Sequence, residues 1–197
     1  MENYRPRDED LLREMRRVRR EARRKRWLWG LIIGLILAAA GGWFVFNRYY
    51  LIASFQGPAM GDTIPSGSLV LVRRVEEGTK YQVGDLLLYD SESGSQLKRV
   101  VAVAGDRIVV NPHAETRVNN EEMDLTHTVG RTEDSGVAVR RLTVPEDSYF
   151  MQGDQLALSI DSRYRDYDSI TAEKITGQAQ VLLWPVYRFG PLTEDRK

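Results

Sequence analysis

Residues Trp27 to Phe46 read WLWGLIIGLILAAAGGWFVF, twenty positions without a charge. A helix of that length, at about 1.5 Å per residue, matches the roughly 30 Å hydrocarbon core of a bilayer. The stretch therefore predicts a transmembrane helix over 27–46 and divides the 197-residue chain into a basic segment, 1–26, and a domain of ordinary size, 48–197. Trp27, Trp29 and Trp43, with Tyr49 and Tyr50 just beyond, put amphipathic rings near both interfaces. The rival reading is a cleaved leader, because Ala38-Ala39-Ala40 offers small residues of the A-x-A type. Against it, the apolar run exceeds a usual leader core and continues through Trp43-Phe44-Val45-Phe46.

Charge is distributed unevenly about this span. Lys plus Arg and Asp plus Glu both number 28, yet residues 1–26 hold eleven basic and six acidic side chains, and residues 48–197 hold 17 and 22. The arginine block directly before Trp27 predicts a cytoplasmic N-terminus and an extracytoplasmic C-terminal domain. It leads straight into the span, so no nucleic-acid-binding segment is expected. Leu11, Met15, Val18 and Ala22 recur at helical spacing among the arginines, which fits either a basic amphipathic helix on anionic headgroups or a solvated charge run. Within the span, Gly30, Gly34, Ala38 and Gly42 form a row of small residues, a candidate surface for self-association. With no cysteine and only His113 and His127, the chain excludes a disulfide framework and a thiolate nucleophile, and no metal site is expected.

Beyond residue 48 the pattern is strand after strand. Leu69–Val72, Leu86–Tyr89, Val100–Val103, Ile108–Val110, Val137–Val139 and Val181–Trp184 are short apolar or β-branched runs between Gly, Asp, Asn, Pro and Ser. A helical period is absent apart from a single turn around Thr171–Lys174. The fold class is mainly β: an external, folded or partly closed sheet behind one N-terminal transmembrane helix. The polar stretch Asn111 to Thr132 reads as an excursion with a hairpin at Val118–Met123.

Four segments then carry a resemblance. Gly57-Pro58-Ala59-Met60-Gly61-Asp62-Thr63-Ile64-Pro65-Ser66-Gly67, followed by Ser68-Leu69-Val70-Leu71-Val72, resembles the first catalytic box of type I signal peptidases. In that family the pattern is roughly G-x-S-M-x-P-T-L before a strand. Val83-Gly84-Asp85-Leu86-Leu87-Leu88-Tyr89 resembles the strand leading into the core. Leu97-Lys98-Arg99-Val100-Val101-Ala102-Val103-Ala104-Gly105-Asp106 resembles the K-R-V box that carries the general base. Tyr149-Phe150-Met151-Gln152-Gly153-Asp154 with Ser159-Ile160-Asp161-Ser162-Arg163 resembles the last box, G-D-N-R-x-x-S-x-D-S-R. The four boxes keep the family's order and cover most of residues 50–185.

The resemblance implies a bacterial cell-membrane endopeptidase that removes signal peptides from exported preproteins through a Ser–Lys pair, with no metal or organic cofactor. Hydrolysis without metal or cysteine needs an activated hydroxyl, and a lysine kept neutral by burial can accept its proton. Lys98 takes the place of that base, Ser159 of the serine that orients it, and Asp161 with Arg163 of the pair that braces the site; Gly153 and Asp154 lend structural support. The family's Asn-Arg after this dipeptide is here Gln155-Leu156. Ala59 occupies the nucleophile's place. A methyl group cannot attack a carbonyl, so the chain is expected to lack turnover, and the retention of the base, its orienting serine and the brace has the form of a knock-out rather than of decay. The backbone N–H of Ala59 would face the oxyanion, and Gly57 leaves no side-chain hydroxyl to assist it.

The family binds substrate as an extended strand, for which Leu51–Phe55 and the strand near Lys98 are the nearest candidates. Position 59 lies no more than about 45 Å of extended chain beyond the span. Leu51, Ile52, Phe55 and Ile64 are therefore either an apolar face resting on the bilayer or part of the core. Two alternatives to the peptidase stay open: a non-catalytic preprotein-binding or assembly protein, and a related Ser–Lys autoprotease.

Overall fold

The structure is a computed structural model that describes residues 8–76, 78–92, 94–110, 116–119, 121–122, 141–163 and 169–192. The chain divides into two compact units, Met1–Arg48 and Tyr49–Lys197. In the first, a single helix, α1 (Asp8–Tyr49), runs without interruption through the expected boundary at residue 26. The basic segment thus continues the span as helix. Its composition explains this: Arg, Glu, Leu and Ala are strong helix formers, and Glu9 and Glu21 each precede a basic residue by four positions. Between Arg23 and Tyr49 the helix is long and apolar enough to cross a membrane. Its large apolar side chains, Leu35 and Phe44 among them, are exposed, so it is not a core helix.

The second unit is built on twelve strands: β1 (Tyr50–Phe55), β2 (Ser68–Arg74), β3 (Leu86–Ser91), β4 (Gly94–Val103), β5 (Arg107–Val110), β6 (Thr116–Val118), β7 (Glu121–Glu122), β8 (Leu142–Thr143), β9 (Ser148–Gln152), β10 (Ile170–Thr171), β11 (Ile175–Trp184) and β12 (Gly190–Pro191). The main sheet has the order β1-β2-β11-β3-β4-β9-β10, every pair antiparallel, and β12 pairs with β11 beyond the end of β3. A smaller sheet, β7-β6-β5-β8, contains the expected hairpin, with Arg117 opposite Glu122. Five of the six apolar runs lie in β2, β3, β4, β5 and β11; Val137–Val139, like His113 and His127, falls outside the described residues. The helical turn is a 3₁₀ turn at Ala172–Lys174.

Three apolar clusters form the core. The first gathers Phe55, Met60, Ile64, Val70, Val72, Leu86, Leu88, Leu97 and Leu182 around Ala59. A second packs Leu87, Tyr89, Val100, Met151 and Ile175 on the other face of β3 and β4, and a third, around Phe150 and Ile108, joins the small sheet to the large one. Phe55 and Ile64 are therefore core residues and not part of an exposed apolar face; Leu51 packs against the same cluster, and only Ile52 of that set is exposed. The alternation of β1 explains the split, since Phe55 ends on the buried side whereas Ile52 points outward.

Candidate active site

The base candidate sits on β4, the longest strand together with β11. Strand pairing places Leu87 directly opposite Lys98, and Val100 follows on the same face. Lys98 is 1% exposed. Burial is the largest influence on its ammonium and lowers its pKa to about 8 from the usual 10.5; Arg163 acts in the same direction, while Asp161 and Asp154 oppose it.

Its hydrogen bond to Ser159 is directional. Lys98 Nζ donates to Ser159 Oγ at 2.9 Å, and Ser159 Oγ in turn donates to Asp161 Oδ2 at 2.6 Å. With the hydroxyl hydrogen committed to the carboxylate, Ser159 can only accept from Lys98, which leaves the lone pair of a neutral amine free for another proton. Arg163 fixes the carboxylate: its Nε donates to Asp161 Oδ1 at 2.7 Å and its Nη2 to Oδ2 at 3.1 Å. The same Nη2 holds the carbonyls of Leu156 (2.8 Å) and Ser159 (3.1 Å), so the guanidinium also shapes the backbone that presents Ser159. Asp161 and Arg163 are fully buried, and such a pair fixes geometry more than it adds stability.

Ala59 lies on a loop between β1 and β2, on consecutive turns closed by Gly61 N–H to the Pro58 carbonyl (3.0 Å) and Thr63 N–H to the Met60 carbonyl (3.1 Å). Met60 and Ile64, both fully buried, plug the loop into the first core cluster. The Gln155 amide donates to the Ala59 carbonyl at 2.9 Å, tying the loop to the segment that carries Ser159. Gly153 explains how close the two approach. A Cβ there would lie 2.4 Å from both the Ala59 carbonyl oxygen and Ser159 Oγ, so only glycine lets them be neighbours. Gly153 N–H further donates to Asp161 Oδ2 at 3.1 Å. The Ala59 N–H has no acceptor among the described residues, as a donor kept for an oxyanion requires. At Gly57 the N–H donates to Ser66 Oγ at 3.0 Å, which closes the base of the loop.

Asp154 has a more specific place than general support. It receives Arg99 Nε on Oδ1 at 2.9 Å and Arg99 Nη2 on Oδ2 at 2.8 Å, and Thr63 Oγ1 donates to Oδ2 at 2.5 Å. Arg99 Nη1 adds the Gly84 carbonyl at 3.0 Å. One buried carboxylate therefore links the strand of Lys98, the loop of Ala59 and the last box. Sequence reasoning named Asp154 but missed Arg99 and Thr63 as its partners. The available signal was the dipeptide Lys98-Arg99, since a guanidinium on an apolar strand must find a carboxylate if it is buried. Among the described residues no group of His, Asp or Glu is arranged to hold a metal ion.

Comparison with known proteins identifies the family. The family described as signal peptidase, peptidase S26, matches residues 24–184. A probable signal peptidase I-2 of Synechocystis sp. is 25% identical over 95% of this chain and 87% of its own length. Signal peptidase I of Bacillus licheniformis is 24% identical over 81% of this chain and 88% of its own. A crystal structure of a signal peptidase I from Enterococcus faecalis aligns with 51% of this chain and 97% of its own, with a TM-score of 0.40 and 23% identity. The chain belongs to the signal peptidase family, and its relatives are of type I.

Proposed function

We propose that this chain is a membrane-bound endopeptidase of the Ser–Lys class, directed at the signal peptides of exported preproteins, in which alanine at position 59 has removed the nucleophile. The observation that carries the reading is the buried relay from Lys98 through Ser159 to Asp161, complete in every atom that the chemistry needs except one hydroxyl. In the restored reaction a hydroxyl at 59 attacks the scissile carbonyl, the Lys98 amine takes its proton, and the N–H at 59 receives the developing oxyanion. The resulting ammonium then donates to the leaving amine, and a water, deprotonated by Lys98, releases the acyl group. The chain as it stands should hold preprotein and leave it uncut. The decisive assay is the Ala59→Ser chain on a preprotein in detergent: cleavage after small residues supports the peptidase, whereas binding without cleavage favours a preprotein-binding protein. The Ala59 methyl is what keeps that second reading in view.

Localisation follows the same reading. The basic flank before Trp27 places the N-terminus in the cytoplasm and the β unit outside. Protease added to spheroplasts should therefore digest the β unit, and protection until lysis would reverse the assignment. The β unit also carries an apolar outer surface: Ile52 pairs with Leu71, Leu69 pairs with Trp184, and Val186, Tyr187 and Phe189 follow. An exposed apolar surface of this kind marks a membrane or protein contact, and on this reading its occupant is the bilayer. The chain has no cysteine, so Tyr187→Cys and, as a control, Ser95→Cys can each take a single fluorophore. Nitroxide lipids in proteoliposomes should quench the label at 187 and not at 95; equal quenching counts against this surface.

A further inference from the structure

Resting on the peptidase reading, we propose that Arg188 is a positioning residue that clamps the tip of the loop carrying position 59, from a C-terminal strap that the family match does not include. The match ends at residue 184. The chain then makes a 3₁₀ turn at Val186–Arg188 and returns as β12 along β11, with Gly190 opposite Leu182, Pro191 opposite Val181 and Leu192 N–H on the Gln180 carbonyl at 2.8 Å. Leu192 packs against the cluster that contains Ala59, Met60 and Ile64. The strap is thus seated on the same core as the loop. From it the guanidinium of Arg188 reaches across, Nη1 donating to the Asp62 carbonyl, with Nη2 3.8 Å from Asp62 Oδ1.

Position 62 is where the family pattern has proline, and the strap supplies a reason why this chain does without it. Gly61 (φ +51) and Asp62, whose φ is not positive, occupy the middle of the Met60–Thr63 turn, and no described residue accepts the Asp62 N–H. A proline has no N–H to leave unpaired there and would stiffen the tip by restricting φ. Asp62 leaves φ free, and its side chain is 99% exposed, so the carboxylate itself holds nothing firmly. The carbonyl does the anchoring: it accepts from the charged Arg188 donor, and this restrains the turn that follows Ala59. A loop free to move at its tip would let a hydroxyl at 59 drift from Lys98, and small displacements of a nucleophile are costly to the rate.

The test uses the full chain in detergent with two readouts. In the chain with Ala59, amide exchange of residues 57–67 should quicken about tenfold on Arg188→Ala, while residues 86–103 stay unchanged. Asp62→Asn should leave the loop as it was, since the carbonyl persists, and Asp62→Pro combined with Arg188→Ala should restore slow exchange. In the Ala59→Ser chain, Arg188→Ala should lower kcat about tenfold with KM nearly constant, Arg188→Lys should lower it less, and Asp62→Pro should recover it. Unchanged exchange in 57–67, or a rise spread equally over β3 and β4, overturns the clamp. If the Ala59→Ser chain never cuts and exchange still responds as described, the peptidase reading falls and the clamp stands.

Discussion

Lys98, Ser159, Asp161 and Arg163 are each no more than 2% exposed and are joined to one another by side-chain hydrogen bonds, whereas around Ala59 the loop over residues 57–67 is held by backbone bonds and by Met60 and Ile64 in the core, its side-chain bonds lying farther along at Thr63 and Ser66. The two halves of the site therefore depend on sequence differently. In a buried side-chain network each member satisfies another, so losing one leaves a polar group without a partner. A loop held through its carbonyls and amides accepts a methyl in place of a hydroxyl with no such debt. On the proposed reading, this is why a site could lose a nucleophile at position 59 and keep the rest of its geometry.

The largest expected effect tests that asymmetry directly. Ala59→Ser should restore processing of a preprotein on a gel, and Lys98→Met in the restored chain should remove it again, a loss of at least about 10²–10⁴-fold because methionine has similar bulk and no base. Cleavage that survives Lys98→Met would mean that the buried half is not the base half. Stability should separate the halves as well. Asp154→Ala strands Arg99 in the interior and should cost about 3–5 kcal/mol in denaturant unfolding of the full chain in detergent. Ala59→Ser, measured the same way, should stay within about 0.5 kcal/mol of the starting chain; a large cost there would show that the loop is as tightly specified as the network.

Ser159→Ala in the restored chain should slow turnover by less than the about 10²–10⁴-fold of base removal, since orientation is lost while the amine persists. Loss as complete as with Lys98→Met would make Ser159 part of the proton transfer itself. The smallest effect is the pH dependence. Turnover of the restored chain should rise on an alkaline limb with its midpoint near 8, where Lys98 loses its proton. For stability the sign follows from the lowered folded-state value. Between about 8 and the usual 10.5 the unfolded chain binds more protons than the folded one, so the cost of burying the ammonium is fully present below 8 and released as pH rises through that window. Any stabilisation gained by Lys98→Met at neutral pH should therefore shrink between pH 8 and 10.5, and a pH-independent difference would argue that Lys98 is not buried in its charged form.

Much of this architecture is legible along the chain because its signals are local. Twenty uncharged residues announce the span whatever surrounds them, and short apolar runs between turn residues, such as Leu69–Val72, announce strands. The continuation of α1 upstream of the span was harder to see, because a charged segment rich in helix formers reads equally as solvated coil. The boxes around Ala59, Lys98 and Ser159 marked the site because together, and in order, they resemble those of a known family. They could not show who bonds to whom.

What the sequence alone determined is the inventory: an apolar helix long enough to cross a membrane, a β unit, an amine on an apolar strand, and an alanine where the family pattern has serine. Only tertiary structure decided that Phe55 and Ile64 belong to the core while Trp184, Tyr187 and Phe189 are exposed. Only tertiary structure decided that one carboxylate, Asp154, ties Thr63 to Arg99 across 91 and 55 positions of chain. The physical reason is that a residue's tendency to be buried or charged is its own, but its partner is set by which strands pair and in what register. That pairing depends on contacts far apart in sequence.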